Sequence, residues 1–297
     1  TNNFEIGVYG VFRNQERTSR SVDSFTPFGE RLQVGIVDVA AKFHAPVPGA
    51  RAFVFGELEA AYIGGRTNYV RNIDLTRIGA EEKIVSFGGA VKLGATSVAG
   101  WGRNAFGNLV VALEYGYASG DADPYDGVTR RFSFSQNHNV GMVLFDHVLA
   151  WKTARAATIA QDPQVTFRPA PGLEFLPSEG AVFGATYLNP TVVVRPRQWL
   201  DLKGGMVIAQ TTADFVDPFH AGALGNYTNY DGGDETAHDL GIELDFGFEG
   251  RLNLGDSFLL QGGADLGILF PGAAFDLADG QRLPNQYLLN LKLGAQF

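Results

Sequence analysis

The 297 residues carry a formal net charge of -9, no cysteine, 38 glycines and 23 phenylalanines, with 45% hydrophobic residues. The acidic balance, with no basic cluster, excludes a nucleic-acid binder. No run approaches the ~20 apolar residues of a transmembrane helix, so a membrane would have to be crossed by strands.

Alternation begins almost at once. Residues 4–13 place Phe4, Ile6, Val8 and Phe12 on one face and Glu5, Gly7, Tyr9 and Arg13 on the other, which is the period of a strand. No signal peptide precedes it, so the expectation is either a removed leader or a chain that starts partway along a longer protein. A polar stretch to Gly29 leads to a second strand, 31–43, with Asp38 and Lys42 opposite Val37, Val39, Ala41 and Phe43. Pro46-Val47-Pro48-Gly49 makes a tight turn.

The third strand, 51–64, sets Glu57 and Glu59 against Val54, Leu58, Ala60 and Tyr62. After a long loop, the fourth, 83–95, sets Ser86, Ala90 and Lys92 against Val85, Phe87, Val91 and Leu93. A connection containing Gly100, Trp101 and Gly102 leads to the fifth, 108–118, with Glu114 opposite Leu113, Tyr115 and Tyr117. The rhythm stops over residues 119–179. It resumes with a sixth strand, 181–195, a brief turn at Pro196, and a seventh, 200–211, with Asp201 and Lys203 facing away from Leu202, Met206 and Ile208. A loop rich in Gly, Asn, Tyr and Asp spans 213–236.

Residues 238–252 are the clearest strand. From Leu240 every even position is Leu, Ile, Phe or Gly, while Glu243, Asp245, Glu249 and Arg251 fall on odd ones. A soluble core would accept that charged face only at heavy desolvation cost. The ninth strand, 258–270, carries Gln261 and Asp265 inward, and the last alternates Tyr287, Leu289, Leu291, Leu293 and Phe297 with Asn290 and Lys292.

Apolar outside, polar inside, with short turns and long loops in alternation, is the pattern of a bacterial outer-membrane barrel. The expected fold is all-β: a single transmembrane antiparallel up-and-down β-barrel over 1–297, with about ten strands in this chain, an even number as in single-chain bacterial outer-membrane barrels. The count becomes twelve if residues 140–160 form a further hairpin, and larger if an N-terminal part is missing. Residues 119–179 are expected to be a long extracellular loop. Within it, Leu144, Val148 and Trp151 recur at helical spacing, which predicts a short helix folded into the mouth as a constriction; a helix on the rim is the alternative.

The most distinctive text is Tyr115-Gly116-Tyr117-Ala118-Ser119-Gly120-Asp121, then Asp123-Pro124, Phe132 and Phe134, His138, Gly141 and Asp146, with Phe270-Pro271-Gly272 further on. This order resembles the alginate export family of outer-membrane barrels. The resemblance implies a conduit for sugar polymers or small solutes, without catalysis. That family builds barrels of more strands than the chain supplies, so a smaller relative or an incomplete barrel is implied. A ten-strand cylinder has a narrow interior largely filled by side chains.

The expected lumen-lining residues are Glu57, Glu59, Glu114, Asp201, Lys203, Glu243, Asp245, Glu249, Arg251, Asp265 and Lys292. Inward acids and bases nearly balance, so they are expected to pair across neighbouring strands and to set ion preference. That balance gives no cationic path for a polyuronate. Asp121, Asp123, Asp126, His138 and Asp146 are expected to shape the pore mouth. The first three, within six residues, are also a candidate Ca²⁺ site, although the spacing is not that of an EF-hand and the plainer reading is an acidic turn held by Asp side-chain to backbone bonds. His238-Asp239 and Asp146-His147 are the only His-carboxylate neighbours offering general-base chemistry of the kind found in omptin proteases, and their surroundings do not match that family. The expected partners are the lipids of the outer membrane, with periplasmic export proteins or companion subunits. A structural or adhesion barrel with a filled lumen is the other reading.

Overall fold

The computed structural model describes residues 3–17, 30–68, 81–97, 108–161, 177–253 and 258–296. The polar stretch 18–29, the connection at Gly100 to Gly102 and the terminal Phe297 lie outside these. The protein is all-β. Among the described residues, ten long antiparallel strands follow one another as an up-and-down meander: β1 (Asn3–Arg17), β2 (Glu30–Pro46), β3 (Ala52–Thr67), β4 (Glu82–Ser97), β5 (Asn108–Ala118), β7 (Ala185–Arg197), β8 (Leu200–Thr211), β9 (Asp239–Asn253), β10 (Leu259–Pro271) and β11 (Gln286–Gln296). A two-residue strand, β6 (Val128–Thr129), pairs parallel with the start of β4. The sheet is not closed: β1 and β11 are its two edges. Strands of 11 to 17 residues are far longer than the ~5–6 usual in globular sheets.

Side-chain parity divides the sheet into two unlike faces. On the outer one, a cross-strand row runs from Ile6 through Ala41, Leu58, Val91, Tyr115, Leu188, Ile208 and Ile242 to Phe270 without a polar residue. Its neighbours Phe246, Phe248, Leu93 and Leu291 are more than half exposed. Water is a poor solvent for such a face, since exposed apolar patches on soluble proteins seldom exceed a few hundred Å². On the inner face, Glu5, Lys42, Glu57, Lys92 and Glu114 stand opposite one another on five successive strands, alternating in sign.

The sequence-based strands match the observed ones closely, with three corrections. The sixth predicted strand begins at Ala185, because residues 181–184 bend away at Gly184, whose φ is +50°. Leu240, expected outside, is 1% exposed and belongs to the core. A register shift between Ala209 and Gln210 lies beside Gly241, whose φ of +104° only glycine adopts without strain, and this bulge turns the residues before it to the other face. Residues 140–160 form no strands, so the twelve-strand count does not stand: a π-helical turn, Leu144–Leu149, runs directly into α1 (Ala150–Gln161).

That helical segment packs on the inner face toward the end where the long connections lie. Val143, Leu144, Phe145 and Leu149 are buried against Tyr187 of β7, Val207 and Ala209 of β8, Leu240 of β9 and Leu269 of β10, with Phe215 and Phe275 arriving from the loops. The predicted helical stripe is right for Leu144 but wrong for Trp151, which is 61% exposed. The cause is the wider turn: Val148 donates to the carbonyl of Val143, five residues back, and the phase shifts so that Lys152, Thr153, Ala156 and Ala157 continue the buried side.

Candidate functional site: the inner face and its filling

The inner face has two zones. Toward the short turns it is polar and ion-paired. Asp201, 3% exposed, accepts from Arg195 and from Arg251, each at 2.8 Å. Arg251 also donates to Glu249 at 2.8 Å, and Lys203 reaches Glu249 at 3.2 Å. Lys292 pairs with Asp265 across the last two strands. These contacts form two groups, Arg195, Asp201, Lys203, Glu249 and Arg251 across β7 to β9 and Asp265 with Lys292 across β10 and β11, so the buried Asp201 and Asp265 each have a cationic partner.

Farther along, Lys92 pairs with Glu114 at 3.1 Å. Glu114 also accepts from the Tyr187 hydroxyl at 2.7 Å, and that hydroxyl lies 2.6 Å from Nε2 of His138. The His138 ring stacks on Phe134 at 4.7 Å between centroids. A residue of the long loop is thereby drawn onto the strands. Glu57 and Glu59, on strands the helical segment does not cover, remain exposed.

Glu243 is the hinge between the zones. It is completely buried, and its two oxygens accept hydrogen bonds from the backbone N–H groups of Met142, of Val143 at 2.7 Å and of Leu144 at 2.7 Å. Those donors open the helical segment and have no partner within it, so a carboxylate satisfies them and complements the helix dipole. Gly141, at φ +71°, makes the approach possible: a Cβ there would sit 2.7 Å from a Glu243 oxygen. Asp245 lies beside it with its Oδ1 buried and without a hydrogen bond.

All eleven expected lumen residues thus fall on the inner face. They differ in what they meet. Glu243 is covered by the helical segment, whereas Asp201, Lys203, Glu249, Arg251, Asp265 and Lys292 hold one another. The expectation of a polar interior fails at the long-loop end, where Val207, Ala209 and Leu269 point inward, because protein rather than water fills that space.

Three of the expected mouth residues, Asp121, Asp123 and Asp126, act as turn fasteners. Asp121 accepts from the Arg130 backbone N–H at 2.9 Å, Asp123 from Tyr125 N–H at 3.0 Å and the Tyr227 hydroxyl at 2.9 Å, and Asp126 from Val128 N–H at 2.8 Å and the Arg130 guanidinium at 2.7 Å. Their oxygens are directed to different donors, and no group of three or more His, Asp or Glu side chains suited to a metal ion is found among the described residues. The acidic-turn explanation therefore accounts for the Ca²⁺ candidates. Burial pushes the Asp121 carboxyl above the ordinary aspartate range, with the Arg130 contacts opposing. Asp146, in the π-helical turn, is also raised by burial. The His238-Asp239 pair separates: His238 hydrogen-bonds Thr211 at 2.7 Å and lies 3.6 Å from Asp214, while Asp239 accepts from Gly241 N–H.

Sequence reasoning missed the contacts that hold the loops down. Lys152 of α1 and Asp231 form an ion pair whose side chains are 5% and 9% exposed. Asn229, fully buried, accepts from Asp231 and Gly233 N–H and donates to the Asp276 carbonyl at 2.9 Å, tying the 211–239 and 271–286 connections together. The run Asn229-Tyr230-Asp231-Gly232-Gly233 signals a side-chain-capped turn, but not what the turn grips.

Fold and inner face together define an all-β protein with a long-stranded meander sheet, an apolar outer face and a charged inner one. Among the described residues no helix is long and apolar enough to cross a membrane, which says nothing of strands. The chain matches no protein-family model and no curated protein.

Proposed function

We propose that the chain is the wall of an outer-membrane β-barrel that passes small hydrophilic solutes or a saccharide chain, as a non-catalytic conduit of the kind its Tyr115 to Asp121 segment resembles, the alginate export family. The observation that carries this is the pairing of an unbroken apolar row from Ile6 to Phe270, most of it exposed, with the sign-alternating row from Glu5 to Glu114 on the opposite face. Lipid is the solvent that suits the first and water the second. In a bilayer every backbone donor must be paired, so β1 and β11 would be joined to each other or to strands of a companion segment or subunit.

The hydrophobic filling at the long-loop end favours a second reading, a structural or partner-binding barrel with a closed lumen. Single-channel conductance of the purified protein in a planar bilayer separates the two. Stable open steps, with a reversal potential that shifts in a salt gradient, support the conduit. A bilayer that stays silent while protein is incorporated refutes it and leaves the filled barrel.

A further inference from the structure

Charge is spread unevenly over the inner face. Three successive cross-strand rows at mid-height of β1 to β5, those of Glu5, Gly7 and Tyr9, hold Glu5, Asp38, Glu57, Glu59 and Glu114 against Lys42 and Lys92. Five carboxylates against two lysines give this belt a formal charge of -3. The rows on either side, from Asn3 to Ala112 and from Val11 to Ser86, contain no Asp, Glu, Lys or Arg.

Pairing is uneven as well. Lys92 is committed to Glu114 at 3.1 Å. Glu5, Asp38, Glu57 and Glu59 are not ion-paired to any other described residue, and all but Asp38 are exposed. The cations that balance the inner face as a whole lie elsewhere and are engaged. Arg195, Arg251 and Lys203 hold Asp201 and Glu249 nearer the short turns, and Lys292 holds Asp265. Arg13, beyond the row of Val11, bonds Gln15, while Arg155 of α1 lies over the Trp151 ring and near Asp217.

Level with the belt, β7 to β10 present Tyr187, Val207, Ala209 and Leu269, which the helical segment covers. Water at this height therefore meets the side of β1 to β3, with four carboxylates and Lys42. A wall of one predominant sign, backed by a low-dielectric medium, focuses its field into the adjoining water.

We propose that the conduit prefers cations: a solute passing the helical segment runs along this belt, which admits small cationic solutes and holds back polyanions. The preference comes from the field of the belt, with no ion held at a fixed position. It rests on the conduit reading.

The test is the reversal potential of single channels in a planar bilayer held across a KCl gradient. A potential of about one kT at the belt gives K⁺ roughly a sevenfold advantage over Cl⁻, and raising the salt on both sides should shrink that advantage by screening. Glu57→Gln combined with Glu59→Gln should bring the ratio to within about twofold of unity, whereas Lys42→Gln, which removes a cation from the belt, should raise it. Open steps identify the variants that are folded in the bilayer, and opposite shifts from the two changes cannot come from lost structure. If the double variant gives no steps, the sign of the Lys42→Gln shift decides. A wild-type ratio near unity, a preference for Cl⁻, or open channels whose ratio ignores these substitutions would overturn the cation preference and leave the conduit standing. A silent bilayer removes the conduit, and the preference with it.

Discussion

Glu243 and Leu144 meet across 99 residues of sequence, the carboxylate of a central strand accepting the first backbone N–H of the π-helical turn at 2.7 Å. Two further donors share that carboxylate, from Met142 and Val143. The sheet therefore carries, in one side chain, the cap for the element that fills it.

Glu243→Ala leaves those donors buried and unpaired, at about 1–3 kcal/mol each before relaxation. The expected result is release of the helical segment while the sheet stays folded. Hydrogen exchange followed by mass spectrometry should show protection lost over 140–149 and kept in β7 and β8. Protection that is unchanged in the variant would show that the apolar contacts of Phe145 and Leu149 hold the segment unaided.

Lys152 and Asp231 form a buried pair, so removing one partner strands the other. Lys152→Ala is expected to cost about 3–5 kcal/mol, whereas the double change Lys152→Met with Asp231→Asn should recover most of it. Denaturant titration of the refolded protein in micelles, run as a double-mutant cycle, measures the coupling. A cycle with no coupling would mean the pair is solvent-screened in solution.

The two faces of the sheet should answer a charge differently. Phe246→Arg, at the middle of the outer face of β9, is expected to destabilise the protein in lipid vesicles by about 2–4 kcal/mol. Glu59→Arg, on the exposed inner face between Ala40 and Ala90, should stay within about 0.5 kcal/mol. Equal costs in vesicles would contradict the lipid-facing assignment.

Reversal within the alternating row provides a second electrostatic test. Lys42→Glu sets a carboxylate between Glu5 and Glu57 and should cost about 1 kcal/mol, with Glu5→Lys on the edge strand β1 restoring part of it when added in the same chain. Thermal unfolding of the single and double variants reads both. A double variant no better than Lys42→Glu would mean the row does not act through cross-strand pairs.

Asp121 and Asp217 are each held above the ordinary aspartate range, chiefly by burial; backbone N–H donors and the nearby Arg130 and His220 oppose the shift. A carboxyl that holds its proton more tightly in the closed loop than in the opened one favours closure in acid. That stabilisation is complete below the ordinary aspartate value and is lost as pH rises through the raised values. Amide exchange over 119–134 and 213–220, corrected for the intrinsic rate, should therefore report tighter closure in mildly acidic than in neutral buffer. The opposite trend would show that the attractive contacts outweigh burial.

Sequence alone determined the strands and their faces, because a period of two is local: Glu243, Asp245, Glu249 and Arg251 share a face whatever they touch, and Ile242, Phe246 and Phe248 share the other. It also located the helical segment, from Leu144 onward. It could not place Leu240, since one bulge at Gly241 reverses parity, nor Trp151, since one wide turn shifts the helical phase. Only the tertiary structure decided what stands against the inner face. Whether Glu243 meets water or three backbone donors, and whether Asp123 takes the Tyr227 hydroxyl, depends on segments about a hundred residues away. Periodicity carries no information about those distances.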